Sequence, residues 1–226
     1  MFCLEWCLVK RVSPLLTVIP LRCRCWSCEE CRPGRVKRLI HEAKSGKPTL
    51  FITLTSRRRP DRSPSWAARE LVKAWRKIRS EYIKEHGAGS LAFLAVFEET
   101  KKGWPHLHLV ARCKWLDQRW LSKRMAALHD SPVVDVRRVT GLDKVAHYVT
   151  KYIGKNPHRF EGAKRYWRSL DYLNPVEVQE SAPDGPLVVW YHYKCSWLEM
   201  AESMEQLGFI AVYGRREVVL RYGVPP

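Results

Sequence analysis

Two apolar segments separated by a short polar stretch constrain the fold of this chain more than any other feature. The segments are SLAFLAVFEE, residues 90–99, and HLHLVARC, residues 106–113, and the sequence TKKGW follows the first of them. Two strand-like segments joined by a short loop that contains glycine are typical of a β-hairpin. The sequence therefore predicts two adjacent antiparallel strands near the middle of the chain.

The residues on either side of this hairpin alternate between strand and helix patterns. A Ser-Pro pair at 63–64 marks the start of a long amphipathic helix that ends at about residue 86, before two glycines. The remaining predicted elements are a strand at 49–56, a helix at 116–129, a strand at 133–139 and a helix at 142–155. This order predicts an α+β fold with a ferredoxin-like split β-α-β core and a central antiparallel sheet.

We expect three parts along the chain. Residues 1–44 form a cysteine-rich and basic N-terminal extension, and residues 45–160 form the core. Residues 161–226 form a C-terminal α/β extension, with strands and one helix, that packs on the core.

The second hairpin strand contains two histidines, His106 and His108. Alternate residues of a strand point to the same face, so both imidazoles share one face while Leu107 turns toward the core. Two imidazoles and a carboxylate can bind one divalent cation. Glu98 and Glu99 end the neighbouring strand, and since they point to opposite faces, only one of them can join the histidines. The spacing alone does not decide which one.

The predicted helix at 142–155 contains the sequence HYVTKYIGK. Tyr148 and Tyr152 are four residues apart and share a helical face, with Lys151 beside them and Lys155 one turn further on. An activated tyrosine can attack phosphorus and form a covalent phosphotyrosine. A neighbouring lysine can stabilise the charge on the phosphate. An ordinary amphipathic helix also explains two tyrosines with lysines that reach solvent.

The ordered set FITLT, then Glu with PHLHL, then YVTKYIGK resembles the three motifs of the HUH endonucleases. Within that superfamily it is similar to the rolling-circle replication initiators of phages and plasmids, of the two-tyrosine type. The resemblance covers residues 45–160 and implies a ferredoxin-like core. It also implies cleavage of single-stranded origin DNA through a 5′-phosphotyrosine, with release of a 3′-OH primer.

The resemblance assigns a role to each matching residue. It implies that His106, His108 and Glu98 bind Mg²⁺ or Mn²⁺, with Glu99 as the fallback for the carboxylate. It implies that Tyr148 and Tyr152 are the nucleophiles and that Lys151 assists them. Two alternatives remain open: an HUH transposase or relaxase, and a non-enzymatic zinc-containing protein that binds DNA or RNA.

A cluster of cysteines precedes the core. Its sequence CRCWSCEEC places Cys23, Cys25, Cys28 and Cys31 within nine residues. The Cys-x-x-Cys spacing predicts a structural Zn²⁺ site, although four-ligand sites usually use two separated pairs. Cys3, Cys7 or His41 are therefore alternative ligands. Similar cysteine-rich segments precede the first motif of phage initiators, which also favours zinc.

The chain is strongly basic, with a formal net charge of +17. Such a charge favours a polyanionic partner, and single-stranded DNA is the one we expect. The candidate DNA contacts are Arg57, Arg58, Arg59 and Lys155. The chain has no phosphate-binding loop of a helicase, so we expect host helicase and polymerase as partners. We expect no membrane span and a cytoplasmic location, in the host cell if a phage encodes the protein.

Overall fold

The computed structural model describes residues 3–139, 141, 151, 158–173 and 188–222. Its helices are α1 (Arg32–Ser45), α2 (Pro64–His86), α3 (Gln118–His129) and α4 (Trp197–Gln206). Its strands are β1 (Cys7–Val12), β2 (Leu15–Pro20), β3 (Leu50–Thr55), β4 (Ala92–Glu99), β5 (Pro105–Arg112), β6 (Val134–Arg138), β7 (Tyr166–Arg168), β8 (Val189–Tyr193), β9 (Phe209–Tyr213) and β10 (Val218–Tyr222). The predicted α+β class is confirmed.

The chain folds as two compact units that differ from the three parts expected from the sequence. Unit 1 combines residues 1–35 with residues 178–226, and unit 2 comprises residues 36–177. The C-terminal strands thus join the sheet of the N-terminal hairpin. The expected boundary at 160 falls inside unit 2.

Unit 2 contains a five-stranded antiparallel sheet in the order β6-β3-β5-β4-β7. The elements β3-α2-β4-β5-α3-β6 follow the predicted order, and β5 lies between β3 and β4. This arrangement is the split β-α-β pattern of ferredoxin-like folds, with β7 added at the edge beside β4. The predicted helix at 142–155 lies outside the described residues, except that Lys151 is helical and exposed.

The core of unit 2 lies between α2, α3 and one face of this sheet. Trp75 of α2 is fully buried and meets Phe93 of β4 edge to face at 5.3 Å. The helix α2 begins where the sequence predicts, since the Ser63 hydroxyl accepts a hydrogen bond from the Trp66 backbone N–H. It ends at Gly87, whose φ of 93° is a conformation that glycine adopts readily.

Unit 1 contains a second antiparallel sheet, in the order β8-β1-β2-β10-β9. The helix α4 covers one face of it, where its buried Ala201 belongs to the same core as Cys7 and Val18. A capping box at Ser196 and Glu199 fixes the start of α4. None of the helices in the described ranges is both long enough and apolar enough to cross a membrane.

Candidate active site

The β4–β5 hairpin sets the position of the candidate metal ligands. The pairing register places Glu98 directly opposite His106 and Glu99 opposite Pro105. The turn that fixes this register is closed by a hydrogen bond from the Thr100 backbone N–H to the Trp104 carbonyl, at 2.8 Å. Gly103 has a φ of 79° in this turn, a conformation that a residue with a side chain adopts with strain.

The histidines occupy one face of the sheet and the leucines the other. Leu107 and Leu109 are fully buried in the core beneath α2, while His106 and His108 project from the opposite face. This arrangement follows from the two-residue period of a strand and agrees with the prediction. The candidate site therefore lies on the face of the sheet that α2 does not cover.

One carboxylate joins the two imidazoles. Ligand atoms of Glu98, His106 and His108 all lie within 4.8 Å of one another. A Glu98 carboxylate oxygen lies 2.7 Å from Nε2 of His108, and the two imidazole rings are 6.1 Å apart at 75°. Three nitrogen and oxygen donors that converge on one point form a group that could hold a divalent ion.

The neighbouring carboxylate has a different partner. A Glu99 carboxylate oxygen lies 3.1 Å from Nδ1 of His158, away from the histidine pair. The structure therefore brings Glu98, the first choice from the sequence, together with the histidines. The fallback, Glu99, lies on the other side of the strand.

His108 is held by contacts that the sequence did not reveal. Its side chain is only 4% exposed, and its ring stacks on Phe51 of β3, with ring centres 5.6 Å apart. Its Nδ1 lies 3.2 Å from the Thr53 hydroxyl oxygen, because Thr53 and His108 are paired residues in the β3–β5 ladder. A Nδ1–H donated to Thr53 leaves the Nε2 lone pair free to bind a metal.

The protonation of His106 also suits a ligand. Burial lowers the pKa of His106 below its ordinary value, and the nearby His108 lowers it further. The Glu98 carboxylate opposes this shift. Because a metal binds only the neutral imidazole, a lowered pKa keeps His106 available for binding near neutral pH.

The other candidate residues of the core are placed unevenly. Tyr148, Tyr152 and Lys155 lie outside the described residues. In the basic loop after β3, Arg57 and Arg59 contact the Asp130 carboxylate at 3.7 Å and 2.5 Å, while Arg58 is exposed. Asp130 thus compensates part of the charge of this loop.

A second cluster of metal-binding side chains lies in unit 1. The thiols of Cys3, Cys23, Cys28 and Cys31 lie within 4.8 Å of one another. Cys25, one of the predicted ligands, is exposed and stays outside this cluster. Cys3, an alternative that the sequence left open, takes its place, because the Leu4 backbone N–H bonds to the Leu21 carbonyl and brings the N-terminus beside the cysteine loop.

The surroundings of the thiols match a tetrahedral zinc site. A Zn–S distance of about 2.3 Å implies about 3.8 Å between sulfurs. The Cys31 sulfur lies 3.5 Å from that of Cys3 and 3.8 Å from that of Cys23. The Cys31 backbone N–H bonds to the Cys28 sulfur and lowers the pKa of Cys28 to about 7, whereas burial raises the pKa of Cys3 to about 12. A bound cation would offset the cost of ionising the buried thiol.

Comparison with known proteins gives one match. The model of a protein family described as replication-associated protein, with ORF2 as a named member type, matches residues 49–157. No curated protein and no solved structure gives a significant match. The matched segment contains the first predicted motif, the histidine hairpin and the tyrosine motif, and the match supports a role in the initiation of DNA replication.

Proposed function

We propose that this protein is a nicking and strand-joining enzyme that initiates rolling-circle DNA replication. The observation on which this rests is the convergence of Glu98, His106 and His108 on one hairpin, inside the segment that the replication-associated family matches. Its two-tyrosine HUH character is part of the proposal and rests on the sequence resemblance.

Glu98, His106 and His108 would hold the ion. When bound, Mg²⁺ or Mn²⁺ polarises the oxygens of the scissile phosphate. Thr53 orients His108 through Nδ1, and Phe51 packs on its ring, so this ligand is held in one rotamer. The ligand geometry is thus fixed before the DNA binds.

The covalent step is assigned to the tyrosine motif. The phenol oxygen of Tyr148 or Tyr152 attacks the phosphorus, a new P–O bond forms, and the bond from phosphorus to the 3′ oxygen breaks. The phenol proton is lost and the leaving 3′ oxygen gains one, so the step is a reversible transesterification without net hydrolysis. Lys151 stabilises the negative charge on the phosphate.

The substrate is single-stranded origin DNA, and the net charge of +17 supports its binding. Arg57, Arg58, Arg59 and Lys155 are the proposed contacts to this strand. Host helicase and polymerase would supply unwinding and synthesis, and the cytoplasm is the proposed location. Zn²⁺ in the thiol cluster has a structural role, because four protein thiolates leave no open position for chemistry.

Incubation with labelled single-stranded origin DNA and Mn²⁺ tests the proposal. We expect a protein–DNA adduct that survives denaturation, and a free 3′-OH on the released fragment. The single substitutions Tyr148→Phe and Tyr152→Phe should each impair adduct formation, and the double variant should form none.

Two outcomes would contradict the proposal. An adduct formed by the double tyrosine variant would move the nucleophile elsewhere. If the wild-type protein binds the DNA but forms no adduct on any substrate, including the intergenic region of its own genome, the non-enzymatic alternative replaces the proposed one.

A further inference from the structure

A basic groove lies on the side of unit 2 opposite the histidine pair. It is bounded by one stripe of α2 and by the segment 162–167, and it encloses a cavity of about 230 Å³. Arg69, Lys73 and Arg76 follow one another at helical spacing along the stripe. Lys164 and Trp167 form the other wall.

The charge of this groove is only partly compensated. Lys73 pairs with Glu70 at 2.8 Å. Among the residues that the structure describes, no carboxylate lies within 4.0 Å of the charged groups of Arg69, Arg76 or Lys164. The lining residues include no acidic side chain, so the groove concentrates positive potential.

The groove is built from packed elements. The Glu161 backbone N–H bonds to the Ser65 hydroxyl, and Arg69 donates a hydrogen bond to the Glu161 carbonyl at 3.2 Å. Gly162 has a φ of 72°, and a Cβ at this position would lie 3.0 Å from Arg69. Trp167 packs on Phe97 with ring centres 5.5 Å apart. These contacts hold the two walls together.

The same segment connects the groove to the edge of the sheet near Glu98. The His158 backbone N–H bonds to the Phe97 carbonyl, and the Phe97 N–H bonds to the Arg165 carbonyl. The segment 158–165 therefore runs beside the end of β4 and continues into the groove. A strand that passes the candidate site can follow this edge toward the opposite face.

We propose that this groove is a second DNA-binding surface that holds the phosphate backbone of the strand flanking the cleavage site. The choice of DNA rests on the proposed function. The stripe from Arg69 to Arg76 is roughly 10 Å long, which spans two or three phosphates at about 3.4 Å per nucleotide. Trp167 offers an aromatic edge to a base.

The test is the salt dependence of DNA binding by the full-length protein in EDTA, measured by fluorescence anisotropy with single-stranded and duplex oligonucleotides. The variant R69Q/R76Q/K164Q should lower the slope of log K against log salt by about 2 for a single strand, or by about 2.7 for a duplex. The arm in which the slope falls identifies the form of the flanking DNA.

The control variant is K84Q/R119Q/K123Q, which removes the same charge from exposed positions elsewhere in unit 2. Its slope should change by less than half as much as that of the groove variant. Equal changes for both variants, or none for the groove variant, would overturn the proposal.

Adduct formation separates this proposal from the proposed function. The groove variant should form the covalent adduct on a minimal oligonucleotide at the wild-type rate and lose rate only on a substrate with long flanks. A slope change without any adduct in the wild type would retain the groove as a DNA contact and reject the enzyme. An adduct without a slope change would do the reverse.

Discussion

The two clusters of metal-binding side chains differ in the state in which they remain without an ion. In unit 2, Glu98 and His108 already form a hydrogen bond of 2.7 Å, so the cluster satisfies part of its own polarity. In unit 1, four thiols meet at sulfur–sulfur distances such as 3.5 Å, where neutral S–H groups form only weak hydrogen bonds. Folding of unit 1 should therefore depend on its ion much more than folding of unit 2.

The number of ligands leads to the same division. Four thiolates complete a tetrahedral site and exclude substrate, whereas two imidazoles and one carboxylate leave positions open for phosphate oxygens. The first arrangement is typical of structural sites and the second of catalytic sites. Variants of the two clusters test this contrast, and we order them by the size of the change that each should produce.

The largest effect is expected for Cys31→Ser. Loss of one thiolate should abolish zinc binding and unfold unit 1, because binding of a structural zinc contributes on the order of 10 kcal/mol. The measurements are zinc content by atomic emission and the near-ultraviolet circular dichroism spectrum. The matched control is Cys25→Ser, which should keep one zinc per chain since Cys25 lies outside the cluster. Loss of zinc from the control instead would restore Cys25 as a ligand.

The second effect concerns the two glutamates. Glu98→Gln should lower the rate of adduct formation at least about 100-fold, because removal of a ligand costs several kcal/mol of charge stabilisation. Glu99→Gln should lower it less than about fivefold, since it loses only a partly exposed contact with His158. Single-turnover kinetics with Mn²⁺ measure both rates. Equal losses would show that the hairpin register does not select the ligand.

A smaller effect is expected for Thr53→Val, which keeps the shape of the side chain and removes the partner of His108 Nδ1. We expect Mn²⁺ affinity to fall about 10- to 100-fold, measured by electron paramagnetic resonance titration. Thr53→Ser should retain near wild-type affinity because it keeps the hydroxyl. If both variants bind Mn²⁺ as tightly as the wild type, the hydroxyl has no positioning role.

The smallest effect concerns stability. Removal of divalent ions from the Glu98 cluster by a mild chelator should leave unit 2 folded, and Mn²⁺ at about ten times its Kd should add about 1.4 kcal/mol. This corresponds to a rise in Tm of roughly 3–6 °C by calorimetry. The variant H106A/H108A should show no Mn²⁺-dependent rise. A chelated wild type with an unfolded unit 2 would remove the contrast between the clusters.

Local sequence signals predicted the elements and one face of the site. Ser63 and Gly87 marked the ends of α2 because caps depend on neighbouring residues. The shared face of His106 and His108 followed from strand periodicity alone. The choice of Glu98 over Glu99 required the register, which depends on the geometry of the turn at Gly103.

Contacts between distant residues were not predictable in the same way. Thr53 meets His108 only because β3 and β5 pair across more than fifty residues. Cys3 replaces Cys25 because the N-terminus is tied to residues beyond β2. The pairing of β1 with β8 links the two ends of the chain, and no local pattern indicates such a partner.

The short hairpin has a consequence for how the candidate site forms. All three ligands lie between residues 98 and 108, so closing one short loop brings them together. Such loops close in about 10–100 ns and hairpins form within about 1–10 μs. The ligand set thus has a low contact order, and we expect it to assemble before β3 and Thr53 dock against it. Newly synthesised chains would then acquire the geometry of the site early and its rigidity late.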